Sequence, residues 1–309
     1  MNATTATTST AAPQAGAAGP SAEADRIAPG PPPDPALLSL NTATVRVRWN
    51  LRQIIDGCAR HGIRGISPWR DQLAELGVAE AARMIRSHGM TVSGVCRGGM
   101  FPAADAAGRQ AAIDDNRRAI DDAATLGAVC LVLVVGGLPP GSRDLAGARQ
   151  MVTDGIAAVL EHARAARVPL AIEPLHPMYA ADRACINTVD HALDVCDAVD
   201  PQRRGGIGVA VDVYHVWWDP NLRRAIERCG VDRLLAFHIC DWLVPTTDLL
   251  LDRGMMGDGV IDIPLLRSWV EAAGFRGMHE CEIFSANHWW KRDPDEVLQI
   301  VKQRHRQYG

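Results

Sequence analysis

The chain of 309 residues is short of aromatic side chains, with four Phe and three Tyr beside eight Trp, and it has no excess of positive charge. A formal net charge of -4 gives no polybasic signature, so nucleic acid is a poor first expectation for a partner. Long apolar runs are missing as well. The best, around Val129 to Val135, stops at Gly136-Gly137, well short of the ~18 to 20 uncharged residues that cross a bilayer. No membrane span is expected, and the chain reads as soluble. Eight cysteines (58, 96, 130, 185, 196, 229, 240 and 281) stand singly with no CxxC pair, which argues against a disulfide framework or a cysteine-bound zinc. They fit buried, reduced thiols of a cytoplasmic protein. No basic start precedes an apolar segment, so no secretory signal is expected.

What is present divides the chain in two. Residues 1–35 are almost all Ala, Thr, Ser, Gly and Pro with a few charges and no aromatic, a composition that cannot offset the entropy of ordering, so they are expected to form a disordered tail. From residue 36 to 309, short β-branched apolar runs alternate with longer stretches of helical period. Eight strand candidates follow one another: 37–42, 63–67, 91–96, 129–135, 168–173, 206–212, 234–239 and 277–284. Between them Leu51, Ile54, Ile55 and Cys58 repeat at helical spacing, as do Val78, Ala81, Ala82 and Ile85. Asp219-Pro220 and Asp293-Pro294 each look like an N-cap followed by Pro at the first helical position, with Glu296 placed to complete a capping box, and Gly62, Gly89 and Gly274 sit where helices end. Eight such units in ~270 residues predict a single α/β domain, a (β/α)8 TIM barrel, with its chemistry at the C-terminal ends of the strands. A doubly wound sheet is less favoured, because no Gly-x-Gly-x-x-Gly turn follows the first strand.

Four consecutive strand ends are polar. Glu173 closes "LAIE", Asp212 closes "VAVD", His238 lies in "AFHI" and Glu282 in "ECEI". Any one of these has a bland explanation, since a strand-end carboxylate often caps the next helix and a strand histidine is often a satisfied core residue. Brought together, three carboxylates would repel strongly without a cation, so the economical reading is a divalent metal held by Glu173, Asp212, His238 and Glu282. One imidazole with carboxylates suits manganese, with magnesium, cobalt or zinc as alternatives. Glu280 shares a strand face with Glu282; Glu282 is preferred because it lies nearer the C-terminal end.

From about residue 37 to 305 this pattern resembles the xylose isomerase-like superfamily of sugar isomerases and epimerases, which includes ketose 3-epimerases, hydroxypyruvate isomerases and inosose dehydratases. The resemblance implies a Glu, Asp, His, Glu metal set on strands five to eight, matched here by the four residues above. Asp212-Val-Tyr-His215 resembles the family's Asp-x-x-His, implying that His215 reaches substrate or metal-bound water. Arg253-Gly-Met-Met-Gly257-Asp-Gly259 resembles its Arg-x-x-Pro-Gly-x-Gly loop, implying that Arg253 binds substrate oxygens, although Met256 stands where the proline is usual. His176, three residues after Glu173, is not a general feature of the epimerases. Family members often form dimers or tetramers, so a homo-oligomer is expected.

Other strand ends supply candidate substrate contacts. Arg97 in "VCRGG" could hold an anion or a hydroxyl, or pair with a neighbouring carboxylate; Trp69 and Trp217 could wall a sugar ring, or pack in the core or between subunits. The expected chemistry is metal-assisted isomerisation or epimerisation of a keto-sugar or related polyol through an enediolate, with Glu173 and Glu282 as base and acid and His215, His176 and Arg253 orienting oxygens. The runner-up is a lyase of the same superfamily, an inosose-type dehydratase or a β-elimination enzyme acting on a 3-keto-glycoside, with His176 as the extra acid. A nucleic-acid repair enzyme would need more histidines on the early strands and a basic groove, and a non-catalytic metal-binding protein is a further alternative.

Overall fold

The computed structural model describes Met1 and residues 31–309. Eight parallel staves form the barrel: β1 (Leu38–Asn41), β2 (Gly65–Ser67), β3 (Thr91–Val92 continuing as Val95–Gly99), β4 (Leu131–Val134), β5 (Leu170–Ile172), β6 (Ile207–Asp212), β7 (Leu234–Ile239) and β8 (His279–Cys281). β1 pairs with β8, and a single bridge between Trp69 and Cys96 carries the ring across the break in β3. The order of units follows the expectation; most strands are shorter than the apolar runs, whereas β7 fills its run and β3 extends beyond its own to Gly99.

Most of the expected tail lies outside the described residues. Within its last five residues Pro33 is buried, and the Pro31 carbonyl accepts a 2.7 Å hydrogen bond from Arg267 Nη2. Helices cover the outside. Leu51–His61 buries Leu51, Ile54, Ile55 and Cys58, opens with an Asn50–Gln53 capping box, and ends on Gly62 in the left-handed region at φ 67°. Asp293 caps Pro294–Tyr308 as expected, but the box there is one-sided, because Glu296 turns to Arg292 at 3.1 Å. The Asp219-Pro220 expectation is corrected: the helix begins two residues later, at Leu222, and Asp219 accepts from the Asn221 N–H instead. All eight cysteines are free and buried. No described helix is long and apolar enough to cross a membrane.

The two-residue period of the strands decides what points inward. Leu170 and Ile172, Val209 and Val211, and Phe237 and Ile239 join the outer core against the helices. Their alternates Ala171, Ala210 and Ala236 meet Cys96, Cys130 and Val132 inside the ring. Small inward residues at mid-strand leave the next inward layer, two residues on, to Glu173, Asp212 and His238.

Candidate metal centre at the barrel mouth

That layer, one step beyond the alanines, is where the four strand-end groups converge. One ligand atom from each of Glu173, Asp212, His238 and Glu282 lies within 4.8 Å of the others. All four residues are buried, the most exposed of them at 5%. Bonds of about 2.0–2.6 Å place opposed ligands of one cation about 4–5 Å apart, so the spacing fits a single ion.

The hydrogen bonding fits as well. His238 Nδ1 and Glu173 Oε1 are 2.9 Å apart, yet neither they nor His238 Nε2 have a hydrogen-bond partner, and all three atoms are buried. Buried polar atoms left without partners are costly, and donor atoms reserved for a cation are an economical account of them. The electrostatics agree. Burial works against the charged form of His238, but Glu280, Glu173 and Glu282 together push its imidazole well above its usual range. Burial also pushes the Glu282 carboxyl up to about 8, against the pull of Arg253 and with Glu173 adding to it. Both shifts express the same demand for positive charge among crowded carboxylates.

Glu280, whose backbone is in register with His238, does not join the group. Its carboxylate is turned into the barrel, accepting from Asn41 Nδ2 and Ser93 Oγ at 2.8 Å each, and Oε1 lies 3.6 Å from His238 Nε2. Asn41 Nδ2 also reaches Glu282 Oε1 at 2.9 Å and its Oδ1 accepts from Trp69 Nε1 at 2.8 Å, so one amide fixes both glutamates and a cavity wall. Asn41 and Ser93 carry no sequence signal of their own; only closure of β1 and β3 against β8 makes them neighbours.

Arg253 is buried beside the cluster. Its Nη1 donates to Asp212 Oδ2 at 2.8 Å and Glu282 Oε2 at 3.2 Å, and Nη2 lies 3.1 Å from His215 Nε2. Tyr214 packs 4.4 Å beneath its guanidinium. Although burial opposes it, Arg253 helps hold Asp212 below the usual carboxylate range, and burial drives His215 down to about 3. The Arg253 loop owes its glycines to Asp241, whose carboxylate accepts the N–H groups of Gly257, Gly259 and Ile261 at 2.9–3.0 Å. A Cβ on Gly259 would meet the Trp242 carbonyl oxygen at 2.1 Å. Met256 fills the buried position where the resemblance would have a proline.

A cavity opens above the cluster, lined by Glu173, Glu282, His215 and Arg253 and walled by Trp69 and Arg97. Tyr179, Arg183 and Phe284 complete its sides and were not singled out in the sequence. His176 and Trp217 do not line it. His176 stacks on Trp242 at 5.1 Å and donates its N–H to His215 Nδ1 at 3.3 Å, whereas Trp217 packs against the outer core and Trp242.

Comparison with known proteins gives the same placement. The family model described as xylose isomerase-like TIM barrel matches residues 55–303. The chain belongs to this family. A crystal structure of protein SMc04130 from Sinorhizobium meliloti 1021 is 59% identical, covering 89% of this chain and 99% of that one, with a TM-score of 0.86. A structure of IolI protein with a binding zinc atom is 19% identical at TM-score 0.71, covering 88% and 99%. The 3-keto-D-glucoside 4-epimerase YcjR of E. coli, in its apo form, is 19% identical at TM-score 0.69 with the same coverage. The last two show the fold alone. No curated protein matches the sequence.

Proposed function

We propose that the chain is a divalent-metal-dependent isomerase or epimerase acting on a keto-sugar or related polyol. The observation that carries this reading is the buried set of one imidazole and three carboxylates within 4.8 Å, opening onto a cavity with polar and aromatic walls. The donor set would hold manganese or a similar oxygen-preferring ion through Glu173, Asp212, His238 and Glu282. When bound, such an ion supplies Lewis-acid polarisation of a carbonyl and its neighbouring hydroxyl.

The chain's own residues supply the rest. Glu173, whose Oε1 has no hydrogen-bond partner, takes the proton from the carbon beside the carbonyl, and the electron pair moves onto oxygen to give an enediolate. Glu282 returns a proton to the opposite face of that carbon, giving the epimer, or to the neighbouring carbon, giving the isomer. His215, kept neutral by burial and joined to Arg253, orients substrate oxygens. Trp69 and Phe284, ring centroids 5.5 Å apart, shield the carbon skeleton from water. That an epimerase and a zinc-binding protein share this fold supports the reading. The lyase alternative relied on His176 as an extra acid, and His176 is engaged with Trp242 outside the cavity lining.

The test is metal analysis of the purified protein, followed by incubation with ketoses, inososes and 3-keto-sugars in deuterated water. Deuterium at the carbon next to the carbonyl, without loss of water or aglycone, is expected. Dehydrated or cleaved product alone, or a preparation that neither retains nor needs a divalent ion, would overturn it.

A further inference from the structure

Every carboxylate around the centre has a place, but two cations in the same cavity do not. Arg97 follows Cys96 in β3, Arg183 lies in the loop after β5, and both line the cavity alongside Glu173 and Glu282. Both are half-buried. Other arginines nearby find carboxylates: Arg70 meets Asp115 at 2.8 and 3.0 Å, and Arg253 meets Asp212 and Glu282. Among the described residues neither the Arg97 nor the Arg183 guanidinium has a hydrogen bond or an ion pair to the protein. Arg183 is steadied only by its stack on Tyr179, 5.7 Å away.

Holding two unpaired guanidinium groups in one cavity costs free energy. Burial lowers the Arg97 pKa and the Arg183 charge lowers it further. A neutral polyol would relieve none of this repulsion. The charge balance points the same way, because the four buried carboxylates Glu173, Asp212, Glu280 and Glu282 against Arg253 and one divalent ion leave a single negative charge, which two arginines exceed. Guanidinium is also the side chain whose planar fork matches carboxylate or phosphate oxygens.

We infer that Arg97 and Arg183 form an oxyanion clamp, and that the natural substrate is an acidic keto-sugar or polyol whose carboxylate or phosphate lies away from the reacting carbon. This inference rests on the reading of the site as a sugar isomerase. It narrows the substrate class and makes Arg183 a specificity residue.

The probes are D-gluconate, D-sorbitol 6-phosphate and D-sorbitol, titrated calorimetrically into the full-length, metal-loaded protein. At least one acid should bind tenfold or more tighter than sorbitol, and which acid does so distinguishes carboxylate from phosphate. Arg97→Gln and Arg183→Gln should each weaken that acid by roughly 10- to 100-fold and weaken sorbitol far less, the loss expected for a charge-assisted hydrogen-bonded pair. Arg183→Lys should recover part of the loss. An unchanged melting temperature shows that each variant is folded, and Arg183 at the mouth provides the second variant should Arg97→Gln misfold. Equal affinity for all three probes, no binding by either acid, or acid binding indifferent to Arg183→Gln would overturn the clamp. The two readings fail separately. Metal retention and deuterium exchange on neutral ketoses, with indifferent arginine variants, removes the clamp alone. Arginine-dependent acid binding without metal or exchange removes the isomerase alone.

Discussion

The two ends of the barrel both bury charge, and they treat it in opposite ways. At the N-terminal end, the fully buried Arg233 donates to the Ile207 carbonyl at 2.9 Å and the Asp200 carbonyl at 3.3 Å, and pairs with Asp200 Oδ2 at 3.2 Å. Asp200 also accepts from Arg164 at 2.7 Å and from the N–H groups of Arg204 and Gly205. There the charges answer one another. At the C-terminal end, His238 and Glu173 keep buried atoms without hydrogen-bond partners, and two arginines face a cavity unpaired. Buried charge satisfied by the chain is architecture, whereas buried charge left open is free energy reserved for something that binds.

Breaking the open end should have the largest effect. Glu173→Gln is expected to cut turnover by about 10³- to 10⁴-fold with little change in melting temperature, read from deuterium exchange on the identified substrate. Full activity in that variant would remove Glu173 from the proton transfer. Breaking the closed end should do the reverse: Asp200→Ala leaves Arg233 buried without its carboxylate and should cost about 3–5 kcal/mol in denaturant unfolding, with metal affinity per folded molecule unchanged.

Glu280 tests the border between the two behaviours, because it is hydrogen-bonded like the closed end and lies behind a ligand of the open one. Glu280→Gln should weaken metal binding by about 10- to 100-fold, measured by competition with a chelator, while the protein stays folded. The smallest effect is a pH slope at the closed end. His279 and His305 lie 3.2 Å apart, and burial holds them down to about 3 and about 4, with each other's or neighbouring arginine charge adding to it. In the unfolded chain they take up protons near the usual value of about 6.5, so as pH falls from there toward 4 the unfolded state binds more protons and stability drops. His305→Phe should make that slope shallower by about 1.4 kcal/mol per pH unit, read from unfolding at stepped pH. An unchanged slope would show that His305 is protonated in the fold.

Much of the fold was legible because it is written in local periods. The helix stripe at Leu51, Ile54, Ile55 and Cys58 and the N-cap at Asp293 need only neighbours a turn away. The Asp219-Pro220 start was misplaced because a Pro at a plausible position says nothing about where the chain first finds its hydrogen bonds, and here Asn221 does. The candidate metal set was legible as polar residues at four consecutive strand ends, and the structure adds the period behind it. Glu173, Asp212 and His238 each lie two residues beyond an inward alanine, and a two-residue period carries that layer from strand to strand.

Sequence alone determined the eight-unit alternation and the polar strand ends, because these follow from spacing along the chain, and it showed the family through the resemblance of its motifs. Tertiary structure decided how Asn41 and Ser93 hold Glu280 out of the group that Glu282 completes, and that Arg183 joins Arg97 at the mouth. Strand tilt and ring closure bring together residues 241 positions apart, such as Asn41 and Glu282, and distance in space is the quantity that a one-dimensional pattern does not contain.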